Sequence, residues 1–184
     1  MNLRIASLMV VMVLSIFSFS ACNNDDDSPD PEPTLYEKLG GTTMVSDPAN
    51  PGQMIEQGRL GLRSVVDSTI FVIAADPNLS PFFATLLMEV GNGNLSNLAI
   101  LSKNLTDFFT VASGAENYSY NGLNMKDAHD PATNPRMASK SNNTDFDNFI
   151  GAVVTGATQN NVPTELITEV GALIETLRGD VVQQ

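Results

Sequence analysis

The 184-residue sequence holds one cysteine, one histidine and no tryptophan, and only 9 lysines and arginines stand against 21 aspartates and glutamates. Each scarcity excludes something. A lone cysteine cannot close an internal disulfide, so the fold cannot rely on that staple. One histidine and one cysteine cannot build a zinc site of the usual four-ligand kind. A formal net charge of −12 argues against nucleic acid and anionic membrane surfaces as partners. The GxSxG, GxGxxG, P-loop and HExxH patterns are all missing, so no familiar catalytic constellation is written into the chain. No catalytic residue is assigned, and a ligand-binding protein is expected rather than an enzyme. What is present suits one globular domain: 42% of the residues are hydrophobic and only 16% are charged, in a chain long enough to bury a sizeable core.

The first residues are set apart from that domain. Arg4 supplies a basic start, and Leu8 to Phe19 is mostly apolar but too short for a comfortable membrane span. Ser20 and Ala21 then precede Cys22. This arrangement resembles a bacterial lipoprotein signal, which is cut before a cysteine that carries lipid, although Phe19 stands where leucine is usual. The resemblance implies a signal peptide over residues 1–21, lipidation at Cys22, and a lipid-anchored place in the cell envelope. The outer membrane is the expected location, on its periplasmic face or at the cell surface. The alternative is an ordinary secretory signal beside a free thiol. Residues 22–34 read NNDDDSPDPEPT after the cysteine. Their like charges repel and their prolines oppose helix, which predicts an extended tether. The spacing and glycine of an EF-hand loop are absent there.

From residue 35 to 184 the period is helical nearly throughout. Leu35, Tyr36 and Leu39 make a short turn stopped at Gly40-Gly41. Thr42 to Gly58, with Pro48 and Pro51, reads as a loop or insertion. Leu62, Val65, Val66, Ile70 and Ile73 form a stripe, with a β-branched run at Ser68–Ala75 that competes as strand. Asp76-Pro77 ends that element, and Met88–Asn94 reads as a glycine-bearing turn. Leu98, Leu101, Leu105, Phe108, Phe109 and Ala112 give an amphipathic helix ended by Gly114. Residues 130–143 form a long loop. Two helices follow, one from Thr144 and one from Pro163 that carries its stripe as far as Leu177. The expected class is all-α, with five or six helices.

The only histidine, His129, lies in YNGLNMKDAH, where Met125, Ala128 and His129 fall at i, i+3 and i+4 on one face of a short helix. An inward imidazole can ligate a metal or haem iron, shuttle a proton, or fill core space. A single imidazole amid helices rich in Phe, Leu and Met is the combination haem asks for, though such stripes also serve as plain core. Asp145 and Asp147 sit at a helix start, where carboxylates suit the dipole without any further role.

Taken in order, LYEKLGG, VVDSTIFVIAADPNLSPFF, LTDFFTVASG, YNGLNMKDAH, TDFDNFIGAVV and VPTELITEVGALIETLRGDVV resemble the successive helices of the group I truncated haemoglobins. The resemblance runs from Leu35 to Val182, with insertions after Gly41, Phe83 and His129. It implies a truncated globin-like helical sandwich holding haem b. His129 would be the proximal iron ligand, and Phe82, Phe83, Leu101, Leu105, Phe109, Ile70 and Met125 would surround the cofactor. Thr69-Ile70 stands where the family has Phe-Tyr, and Leu101 and Leu105 stand on the distal helix where a glutamine is frequent. The implied distal wall of Ile70, Leu101 and Leu105 is therefore apolar. Tyr120 and Lys126 flank the proximal segment, either beside a haem propionate or as solvated surface groups. Three functions stay open: a haem protein that binds a diatomic gas (O2, NO or CO) or passes electrons, a haem carrier at the cell surface, and a haem-free interaction module.

Overall fold

A computed structural model describes residues 31–184; the expected signal segment and Cys22, the expected lipidation site, lie outside the described residues. The described chain is all-α apart from one small ribbon. Its first helix, α1 (Leu35–Lys38), is set by a capping box in which the Thr34 hydroxyl accepts from the Glu37 N–H and the Glu37 carboxylate accepts from the Thr34 N–H. Gly40 and Gly41, with φ of 115° and 54°, turn the chain out of it.

The segment expected as a loop instead folds into an antiparallel pair, β1 (Met44–Ser46) and β2 (Met54–Glu56), with Val45 opposite Ile55. Pro48 and Pro51 concealed it. Both lie in the connecting turn, where a missing N–H costs no ladder bond. Asp47 organises that turn, accepting from the Ala49 N–H at 2.9 Å, the Asn50 amide at 2.8 Å and the Arg63 guanidinium at 2.6 Å. The guanidinium and these donors hold its carboxyl well below the usual carboxylate range.

Helix α2 (Gln57–Ala75) is continuous through the β-branched run. Its buried positions, Gly58, Leu62, Val66, Thr69 and Ile73, keep a helical spacing to the end, so tertiary burial overrides the local strand preference. The Asp76 carboxylate then accepts from the Asn78 and Leu79 N–H groups and turns the chain. A 3₁₀ turn (Ser80–Phe83) leads into α3 (Ala84–Gly91). That helix absorbs Met88–Gly91, which the glycines had marked as turn. The chain reverses only beyond it, where Gly93 has φ 81°.

Helix α4 (Ser96–Ala112) buries Thr106, Phe109 and Thr110 and stops at Gly114, whose φ is 102°. Past it the chain runs without regular structure to α5 (Met125–His129), where the Asn124 side chain accepts from the Asp127 N–H at 2.9 Å. Helix α6 (Asn143–Gln159) opens on a second capping box, Asn142 with Asp145; that is the use of Asp145. The last long helix, α7 (Thr164–Glu175), has Pro163 as its N-cap. It ends at Glu175, two residues short of Leu177, and the chain re-enters helix as α8 (Arg178–Val181).

Helix α2 is the central element, packed on α6 and α4, with α7 against α6 and α5 against α8. The main core joins Tyr36, Leu62, Val66, Phe109, Phe146, Val153, Val170 and Ile174. Tyr36 is 2% exposed, lies against Gly58, and donates its hydroxyl to Glu56 at 2.5 Å. Burial and that carboxylate push its pKa far above the ordinary phenol value.

Candidate functional site: an apolar cavity with one imidazole

The stripe on α4 divides in two. Phe109 and Thr110 are buried, whereas Leu98, Leu101, Leu105 and Phe108 are only half-buried and face a cavity of about 390 Å³. That volume falls within the range of small-molecule and cofactor sites, roughly 300–1,000 Å³. Ile70 from α2, Phe82 and Phe83 from the 3₁₀ turn, Met125 and His129 from α5, and Phe146 and Phe149 from α6 complete much of its wall. All eight residues singled out in the sequence, Ile70, Phe82, Phe83, Leu101, Leu105, Phe109, Met125 and His129, therefore line one space.

His129 is the chemical centre of this lining. Its Nδ1 lies 2.7 Å from the Met125 carbonyl oxygen, one helical turn back. A carbonyl only accepts, so the proton is assigned to Nδ1 and the lone pair to Nε2. Burial pushes the imidazole pKa below its ordinary value, against a smaller opposing effect of the Met125 bond. The ring is thus neutral at physiological pH, with its orientation fixed by the backbone, as a ligating imidazole requires.

Among the described residues no group of three or more His, Cys, Asp or Glu side chains is placed to hold a metal ion. A bare cation has no ligand set here. Haem asks the protein for an imidazole and an apolar slot; His129 and the Phe82, Phe83 and Phe109 surfaces would hold it. Haem fits the donor chemistry.

The polar groups of the lining are mostly engaged with the protein. Asn97 donates to Glu89 at 2.9 Å, the Tyr120 hydroxyl to the Leu123 carbonyl at 2.7 Å, Asn134 to the Ala128 carbonyl at 2.8 Å, and Ser141 to the Val181 carbonyl at 2.7 Å. Asp145 is held in its capping box. Asn104, on the cavity face of α4, is in no side-chain hydrogen bond among the described residues. Lys126 does not line the cavity. Sequence periodicity missed Asn97 and Asn104, which interrupt an apolar stripe, and missed Arg136, which lies in a segment with no period at all. Phe146 and Phe149 were visible as a helix stripe, but nothing in the sequence assigned them to this wall.

The helices packed around this cavity form a globin-like fold. More specifically, the fold is that of the truncated haemoglobins. The crystal structure of truncated haemoglobin from Tetrahymena pyriformis in its Fe(III) form matches with a TM-score of 0.59 at 24% identity, covering 83% of this chain and 100% of that one. A tyrosine-to-phenylalanine variant of the same protein, also in the Fe(III) form, matches with a TM-score of 0.58 at 24% identity and the same coverage. At this identity the likeness establishes the fold. No protein-family model matches the chain, and no curated protein matches its sequence.

Proposed function

We propose that the domain of residues 35–184 binds haem b with His129 as the proximal ligand, and takes a diatomic gas on the opposite side. The observation that carries this is the His129 ring, which lines an apolar cavity, is fixed through Nδ1 by the Met125 carbonyl, and makes no hydrogen bond through Nε2 among the described residues. The truncated haemoglobin fold supports it. Haem would supply the iron that meets the gas; the chain would supply the His129 imidazole and the Phe82, Phe83 and Phe109 surfaces that hold it. The lipoprotein-like start of the sequence favours a lipid-anchored place in the cell envelope. Titration of the chain with hemin tests the cofactor. A Soret band saturating at one hemin per chain is expected, and a band that grows without saturation would overturn the reading.

The gas side has an expected signature. Dioxygen held in such a site carries partial negative charge, and Ile70, Leu101 and Leu105 have no donor to meet it. Oxygen release from the reduced protein is therefore expected to be fast. Ile70→Tyr introduces a hydroxyl and is expected to slow release by about ten- to hundredfold, the range of a hydrogen bond to a charged group, roughly 1.5–3 kcal/mol. CO release should change far less. Slow release from the wild type would show that a donor reaches the ligand, and Asn104 would be the residue to remove.

A further inference from the structure

We propose that Arg136 is the anchor for a carboxylate of the bound cofactor at the rim of the cavity. This inference rests on the haem reading above. Among the described residues Arg136 is the only lysine or arginine in the cavity lining. It belongs to the segment after His129, which crosses from the histidine-bearing helix to α3. There its guanidinium meets Glu89 as a two-pronged fork, Nη1 to Oε1 at 3.1 Å and Nη2 to Oε2 at 2.6 Å. Glu89 is fixed in turn by Asn97 from α4 at 2.9 Å. With 41% of the Arg136 side chain and 21% of the Glu89 side chain exposed, the pair sits where the cavity wall gives way to water.

A molecule with an apolar body and anionic edges places the body in the cavity and the edges at such a rim. Haem has this form, with two propionates. The fork with Glu89 uses two of five guanidinium N–H donors, and the others remain for a second carboxylate. Electrostatics points the same way. In a chain of net charge −12, Glu89 without its arginine would repel an anionic ligand. The other candidates are placed less well: the Tyr120 hydroxyl is spent on Leu123, and Lys126 lies off the lining.

The test compares hemin with hemin dimethyl ester, whose propionates are uncharged, in the wild type, Arg136→Ala and Glu89→Gln. Loss of each compound to excess apomyoglobin is followed at the Soret band. Arg136→Ala is expected to release hemin at least tenfold faster than the wild type, while the ester leaves both at the same rate. Glu89→Gln frees the guanidinium and is expected to retain hemin as well as the wild type or better. If Arg136 merely latches the segment onto α3, Glu89→Gln speeds release as Arg136→Ala does, and the ester shows the same acceleration; either result overturns the proposal. Equal hemin release from the wild type and Arg136→Ala overturns it too, leaving the haem reading intact. Absence of a saturable band in the wild type overturns both.

Discussion

His129→Ala is expected to weaken the hemin complex by on the order of a hundredfold while leaving the domain folded. The imidazole is the only one in the chain, and among the described residues its one hydrogen bond is to Met125 within its own helix. Removing it forfeits about 0.5–1.5 kcal/mol, the net worth of a typical hydrogen bond, and a ring that lines a cavity rather than filling the core adds little packing loss. The apolar wall remains, so porphyrin burial persists without the axial bond. A loss of on the order of a hundredfold in hemin affinity, about 2.8 kcal/mol, is expected, together with a displaced Soret maximum. Free imidazole, small enough to enter the space vacated by the ring, should restore the wild-type spectrum. Hemin titrations and thermal melts of the variant, with and without imidazole, read both halves. An unchanged band at unchanged affinity would remove His129 from the site.

The second large effect concerns Gly156, where α6 crosses α2. A methyl group built there would lie 2.5 Å from Thr69 Oγ1, 2.9 Å from the Thr69 backbone nitrogen and 3.1 Å from the Val65 carbonyl oxygen. The hydroxyl can rotate away, but the two backbone atoms cannot, so Gly156→Ala must push the helices apart. Overpacking of this kind costs about 1–3 kcal/mol, enough to outweigh the gain of roughly 1 kcal/mol that alanine brings to a helix interior. Gly151→Ala on the same helix is the matched control, since its methyl would meet nothing within 4 Å. It is expected to stabilise by about 0.5–1 kcal/mol. Urea denaturation of the two variants beside the wild type separates them, and stabilisation by both would mean that the crossing is looser than its backbone distances imply. Thr69→Ala should rescue Gly156→Ala only in part, because the backbone contacts persist. Thr69 matters here for its size: its hydroxyl is buried without a hydrogen-bond partner, and a larger side chain would not leave the helices this close.

The helices whose apolar residues recur at three and four were legible because packing on one side leaves that period in the sequence; α2, α4 and α6 are of this kind. The Ser68–Ala75 run was ambiguous because local preference cannot see that α6 waits on one face. The hairpin at Met44–Glu56 was hidden because its strands are three residues each, too short for an alternation to register. Met88–Gly91 was misread because glycine marks the end of a helix and does not say on which side of it the end lies. At the site, Leu101, Leu105 and Ile70 fall on periodic stripes, but their grouping with Phe82, Phe83, Met125 and His129 came from the likeness to the truncated haemoglobins, since a short helix and a 3₁₀ turn carry no period. Arg136, Glu89 and Asn97 escaped it because their association spans three separate elements and has no period to betray it.

The histidine-bearing helix α5 is five residues long, far below the roughly 12–15 at which an isolated helix holds its shape. Its fixed position comes from elsewhere: the Gln183 amide donates to the Lys126 carbonyl at 2.8 Å, and the 181–183 segment is tied to Ser141 by the Ser141 hydroxyl on the Val181 carbonyl and the Gln183 N–H on the Ser141 carbonyl. These partners lie 40 and 57 positions apart in the chain, so α5 is held only when the C-terminal segment has folded back onto it. The imidazole is therefore in place only once the last residues of the described chain have docked, and a cofactor that needs it has no complete site before then.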